Sequence, residues 1–178
     1  MKRYVALLSA LVLSLPAAAA TAAPAQPAAP YCGITWGSLD RTLPAGGLGQ
    51  VVDVRAGRHS CFDRLVLDVS GDAPDYWVSY VPEVRTDGAG HVVPLRGGAR
   101  LEVVAGAPVA PTDSWFRPDG EIVDTAGYRT FRDVAFAGSF EGSTTVGLGV
   151  RARLPFRAFT LDGPGNGSRL VVDVAHRW

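Results

Sequence analysis

Apolar residues recur at every second position along much of the chain, and no long stretch holds a helical apolar stripe. An extended backbone turns successive side chains to opposite faces, so period two describes strands that bury one face. Residues 50–55, 62–69, 76–81, 99–104, 134–140, 143–153, 156–161 and 169–174 fit this pattern. They are short, rich in β-branched and aromatic residues, and bounded by Gly, Pro, Asp or Asn. With 21 Gly and 13 Pro in the chain, helices beyond a single turn are not expected. The pattern predicts an all-β protein, a β-sandwich of about eight short strands. Residues 105–128 contain Pro108, Pro111 and Pro118 and are expected to form a long middle loop outside the sheets.

One strand pattern occurs twice. Asp63-Arg64-Leu65-Val66-Leu67-Asp68-Val69 recurs as Ser168-Arg169-Leu170-Val171-Val172-Asp173-Val174, which implies two equivalent strands at opposite ends of the domain. Alternation assigns Leu65, Leu67, Leu170 and Val172 to the buried face. The arginines, the aspartates Asp68 and Asp173, and the valines between them share the other face.

The beginning of the chain reads differently. Lys2 and Arg3 precede an apolar run, Tyr4 to Leu15, and Pro16 then opens a small-residue stretch. That order is the signature of a secretory signal peptide, expected over residues 1–25, with a Pro/Ala tether at 26–30 and one β domain over 31–178. The apolar run falls short of the roughly 20 residues a spanning helix needs, so no stable membrane insertion is expected. Without Lys2 and Arg3 every basic residue is an arginine and acidic residues are in slight excess, which argues against nucleic acid as a partner. In an oxidising compartment Cys32 and Cys61 are expected to form a disulfide, worth about 3.6 kcal/mol in the chain-entropy model. The competing reading is a metal site, because His59, Cys61 and Asp63 alternate. The bridge is the expectation adopted, with no metal and no cofactor.

The Asp63–Val69 strand, the following Tyr76-Trp77-Val78-Ser79-Tyr80, and the closing run from Gly147 to Leu161 with Arg169–Val174 resemble an AMIN-like domain of actinobacterial exported proteins. The similarity covers most of residues 50–176. The resemblance implies a β-sandwich of the kind that accompanies cell-wall amidases and secretins, associated with peptidoglycan binding and envelope targeting. It therefore implies a secreted or envelope-associated, non-catalytic binding module whose partner is peptidoglycan, another envelope polymer or an envelope protein.

Catalytic signatures are weak. There is no Gly-x-Ser-x-Gly elbow, and His59, His91 and His176 lack zinc spacing and read as surface or strand-end residues. Gly147-Leu148-Gly149-Val150-Arg151-Ala152 imitates a dinucleotide fingerprint, but Pro155 stands where the required helix would run. Asn166-Gly167-Ser168 reads as a turn. The enzyme alternative is a secreted hydrolase or lyase using carboxylates such as Asp113, Asp119 and Glu121. A small apolar ligand between the sheets is a third reading.

Two groups of residues are candidates for binding. Arg151, Arg153 and Arg157 surround Leu154-Pro155-Phe156, and the first two are expected to project from one strand face toward carboxylates or phosphates. The competing role is to brace the sheet by pairing with Asp68 or Asp173. Trp115, Phe116, Tyr128 and Phe131 lie in or beside the middle loop, where their rings would stack on sugars or cap the core.

Overall fold

A computed structural model of the chain describes residues 29–110 and 120–178. Among these, nine strands build two antiparallel sheets. They are β1 (Arg41–Leu43), β2 (Val51–Arg58), β3 (Phe62–Val69), β4 (Tyr76–Val81), β5 (Ala99–Ala105), β6 (Phe131–Phe140), β7 (Ser143–Val150), β8 (Phe156–Asp162) and β9 (Ser168–Ala175). One sheet has the order β1-β4-β5-β7-β6 and the other β2-β3-β9-β8. This is the all-β sandwich that the alternating pattern predicts. The expected signal peptide and residues 26–28 of the tether lie outside the described residues, as does the centre of the middle loop. β1 escapes the sequence reading because three residues are too few to display a period.

The two copies of the repeated motif are not at opposite ends of the domain. They are β3 and β9, hydrogen-bonded neighbours at the centre of the four-stranded sheet, with Leu65 opposite Val172 and Leu67 opposite Leu170. All four of these side chains are fully buried. They face Val78, Leu101, Val103, Val146, Leu148 and Val150 of the other sheet, with Phe131 and Phe156 completing the core. Large apolar side chains from both inner faces supply the main driving force for closure. Val66 and Val171 point the other way yet are also buried, at 4% and 1% exposure. They share that outer face with Arg55, Arg64, Arg157 and Phe159, long side chains that shield the valines from water.

A second, smaller core forms where the chain between β4 and β5 crosses the outside of β6 and β7. Val84, Val93 and Leu95 pack there on Ala135 and Ala137. Gly147 and Gly149 make this possible. A Cβ at Gly147 would lie 2.8 Å from Leu95 Cδ1, and one at Gly149 would lie 2.1 Å from the Arg96 carbonyl oxygen. The glycine spacing that imitated a nucleotide motif is thus a clearance for the crossing strap.

β7 ends at Val150, not at Arg153. Val150 accepts a bond from Gly98 N (2.9 Å), while the Arg151 amide turns to the Thr130 carbonyl at 2.9 Å. Backbone partners at this corner come from loops, so the strand ladder stops.

Candidate functional site

The arginine and aspartate positions of the repeated motif meet on the outer face of the four-stranded sheet. Antiparallel pairing places Arg64 opposite Asp173, and β8 places Arg157 opposite Asp173 from the other side. Arg64 donates from Nε to Asp173 Oδ1 at 2.6 Å and from Nη2 to Oδ2 at 2.9 Å. Arg157 donates from Nε to Oδ2 at 2.8 Å, with its Nη2 2.7 Å from the same oxygen. The carboxylate is wholly buried, whereas the two arginine side chains retain 23% and 32% exposure. A buried carboxylate needs such partners to offset its lost hydration. One negative charge cannot balance two guanidinium groups, so the row carries a surplus positive charge at the surface.

Aromatic rings frame that charge. The Arg157 guanidinium carbon lies 5.6 Å from the Trp36 ring centre, 5.5 Å from that of Phe62 and 5.0 Å from that of Phe159. Arg64 lies 5.2 Å from Phe62 and 5.6 Å from Phe159. Cations over aromatic faces are attracted by the ring quadrupole and held in a defined plane. Trp36 reaches the platform because its segment is tied down three times. The disulfide Cys32–Cys61 joins it to the turn before β3, Trp36 Nε1 donates to the Tyr31 carbonyl at 2.9 Å, and Gly37 bridges to Phe156 at the start of β8. Further along the same face Arg55 donates to Asp68 Oδ2 at 2.6 Å. That bond holds the Arg55 guanidinium above its ordinary pKa.

The three arginines grouped by sequence end in three places. Arg157 joins the platform, paired with Asp173 as the bracing alternative has it. Arg153 stacks its guanidinium 4.6 Å from the Tyr80 ring centre and donates to the Ser38 carbonyl at 3.0 Å. Arg151 donates from Nη2 to the His176 carbonyl. Arg151 and Arg153 do not share a strand face, because the chain bends at Arg151 and Ala152.

The aromatic group divides as well. Trp115 and Phe116 lie outside the described residues. Phe131 is fully buried in the core, which removes it from any sugar-stacking role. Tyr128 stacks on it at 5.7 Å and stays partly exposed beneath Arg58. Of the acids proposed for catalysis, Asp113 and Asp119 lie outside the described residues. Glu121 is bonded by Arg96 at 2.8 Å and by the Thr125 hydroxyl at 3.4 Å.

The metal reading of His59, Cys61 and Asp63 fails because Cys61 is in the disulfide and Asp63 turns inward. Asp63 is fully buried and accepts the Thr130 and Phe131 amides at 2.5 and 3.3 Å. Its other oxygen is 3.2 Å from His176 Nε2. His176 thus stands at a strand end but is buried, at 8% exposure. Among the described residues, no three His, Cys, Asp or Glu side chains converge as metal ligands would.

Arg64, Asp173 and Trp36 were not among the sequence-based binding candidates, Asp173 having been named only as a bracing partner. The repeat itself held the signal for the first two, since Arg-x-x-x-Asp paired antiparallel with a copy of itself sets each arginine against an aspartate. Trp36 had no such signal, because the disulfide and the Gly37 bridge bring it into place from outside the repeat.

An AMIN-like domain model matches residues 49–176. The chain belongs to the AMIN-like domain family. No curated protein and no solved structure matches it. The AMIN-like match begins just before β2 and ends at His176, so it contains Arg64, Arg157 and Asp173. Trp36, Cys32 and β1 precede the matched region. The platform therefore combines a row internal to the AMIN-like domain with an aromatic ring contributed by the preceding segment. Among the described residues no helix is long and apolar enough to cross a membrane.

Proposed function

We propose that this AMIN-like chain is an exported, non-catalytic binding module that holds an anionic polymer of the cell envelope, such as peptidoglycan, on the outer face of its four-stranded sheet. The observation that carries the reading is the Arg64–Asp173–Arg157 row framed by Trp36, Phe62 and Phe159. With Nε and Nη2 of both guanidinium groups engaged by Asp173, their remaining Nη donors are left for carboxylates and phosphates, and aromatic faces supply contact area for sugar rings. Asp173 pre-orients both forks, which lowers the ordering cost of binding. A broad sheet face suits an extended polymer better than a small metabolite. The disulfide fits an extracytoplasmic compartment. No specific observation favours the hydrolase reading, since the only one of its acids among the described residues, Glu121, is engaged by Arg96.

Co-sedimentation of the purified protein with purified cell walls tests the proposal. Binding is expected to fall at least tenfold in Trp36→Ala/Phe159→Ala, and to weaken as salt rises because the contact is partly electrostatic. Full wall binding by a folded Trp36→Ala/Phe159→Ala variant would overturn it.

A further inference from the structure

A second group of arginines lies apart from the platform, at the edge of the other sheet. Tyr80, Val81, Pro82, Gly98, Ala99, Arg100 and Arg153 line an open cleft of about 400 Å³. Arg100 stands on the outer face of β5, opposite Val81 on one side and Gly149 on the other. Neither neighbour has a side chain that accepts a hydrogen bond. Arg100 is half-buried, and no hydrogen bond or ion pair links its guanidinium to another described residue. Arg153 spends one donor on the Ser38 carbonyl and has no acidic partner among the described residues. Glu83, the nearest acid along the chain from Pro82, is already bonded by Arg85 at 2.6 Å, and Glu102, two positions on from Arg100 on the same face of β5, is half-buried and forms no ion pair with it. The pair differs here from Arg55, Arg64, Arg96 and Arg157, each of which shares a carboxylate.

The floor of the cleft is rigid and neutral. The Tyr80 hydroxyl donates to the Leu154 carbonyl at 2.7 Å and accepts the Leu154 amide at 3.0 Å, which locks the ring under Arg153. Burial pushes this phenol up to about 12, so no phenolate offsets the arginine charge near neutral pH. The exposed Arg153 and the half-buried Arg100 make no ion pair among the described residues, so both keep donors that one oxyanion between them would engage. Val81, Pro82 and the Tyr80 ring add apolar surface beside that position. The volume is that of a small ligand, below what a folded polymer would occupy.

We propose that this cleft is a discrete oxyanion site, taking a carboxylate or phosphate group carried on a small body such as a sugar or amino acid. It is separate from the sheet-face platform and stands whether or not that face binds the wall. Arg100 and Arg153 supply the fork donors, and Tyr80, Val81 and Pro82 contact the body of the ligand.

The test is a titration of the isotope-labelled protein with inorganic phosphate, with D-glucuronate, and with sodium chloride at matched ionic strength, read from backbone amide shifts. Saturable shifts at Gly98–Leu101 and Leu154 are expected with at least one oxyanion, at a dissociation constant on the order of 1 mM. A preference for phosphate would point to phosphate-bearing material, and a preference for glucuronate to uronates or peptide carboxylates. Arg100→Gln and Arg153→Gln should each weaken the response at least tenfold, Arg100→Lys should retain part of it, and Trp36→Ala should leave it unchanged. The proposal is overturned if neither oxyanion gives saturation, if chloride produces the same shifts, or if Arg100→Gln and Arg153→Gln both bind as the parent does.

Discussion

Arg64 and Asp173 face each other across β3 and β9, and they occupy complementary positions of one twice-used motif, the arginine from the first copy and the aspartate from the second. Running antiparallel, the motif is its own complement: Asp68 stands opposite Arg169 in the same way. Asp173 holds no water-accessible surface, and its whole stabilisation comes from Arg64 and Arg157. Asp173→Ala is therefore expected to cost about 3–5 kcal/mol, by leaving two guanidinium groups facing each other over an apolar sheet. Urea denaturation measures this. A cost near that of an ordinary surface change, within about 0.5 kcal/mol, would show that the row contributes little.

The Leu67 and Leu170 side chains lie opposite one another in the core and are both fully buried. Leu67→Ala and Leu170→Ala should each cost about 2–5 kcal/mol in thermal or denaturant unfolding. Because the two share one packing site, the double variant should depart from the sum of the single effects. Tolerance of both single changes would mean that the inner face has been assigned wrongly.

Gly147 and Gly149 separate two kinds of crowding. At Gly149 an added methyl meets the Arg96 carbonyl, which is backbone, while at Gly147 it meets the movable end of Leu95. Gly149→Ala should cost more than Gly147→Ala, with the former at the upper end of the roughly 1–3 kcal/mol typical of overpacking. Equal melting temperatures for the two variants would argue against close packing by the strap.

Thiol titration of the denatured, unreduced protein should detect no free cysteine, since Cys32 and Cys61 are bonded. Reduction should lower stability by up to about 3.6 kcal/mol, the chain-entropy value for a loop of this size. It should also release the Trp36 segment, so the tryptophan emission is expected to shift before the core unfolds.

Alkaline pH should destabilise the fold through Tyr80. Its folded pKa, about 12, lies above the ordinary value of 10.0 because burial opposes the phenolate, with the Leu154 bond and Arg153 acting the other way. Above pH 10 the unfolded chain loses this proton first, so stability is complete below about pH 10 and declines as pH rises toward 12. Burial also raises Tyr76 and Tyr128, by less. Ultraviolet titration should show Tyr80 ionising last, and Tyr80→Phe should flatten its share of the decline. An unchanged alkaline profile in that variant would assign the loss elsewhere.

Period two and turn residues, both local properties of an extended backbone, sufficed to place eight of the strands and to orient Leu65, Leu67, Leu170 and Val172 inward. The oxidising context named the Cys32–Cys61 bridge. The repeat carried the Arg64–Asp173 complement, but tertiary structure decided which charges converge on it. Arg157 and Asp173 are brought together by pairing β8 with β9, and Arg64 joins them from β3, 109 residues from Asp173 in sequence. The same holds for the parting of Arg151 and Arg153. Alternation predicts that they share a face, but alternation lasts only as long as the ladder, and the ladder ends where Gly98 takes the Val150 carbonyl and Thr130 the Arg151 amide. Phe131 follows the same logic: its place beside the middle loop was legible, whereas its burial depended on the two sheets closing over it. Local sequence sets which way a side chain can point, and the partner it finds there depends on packing between segments that no local pattern connects.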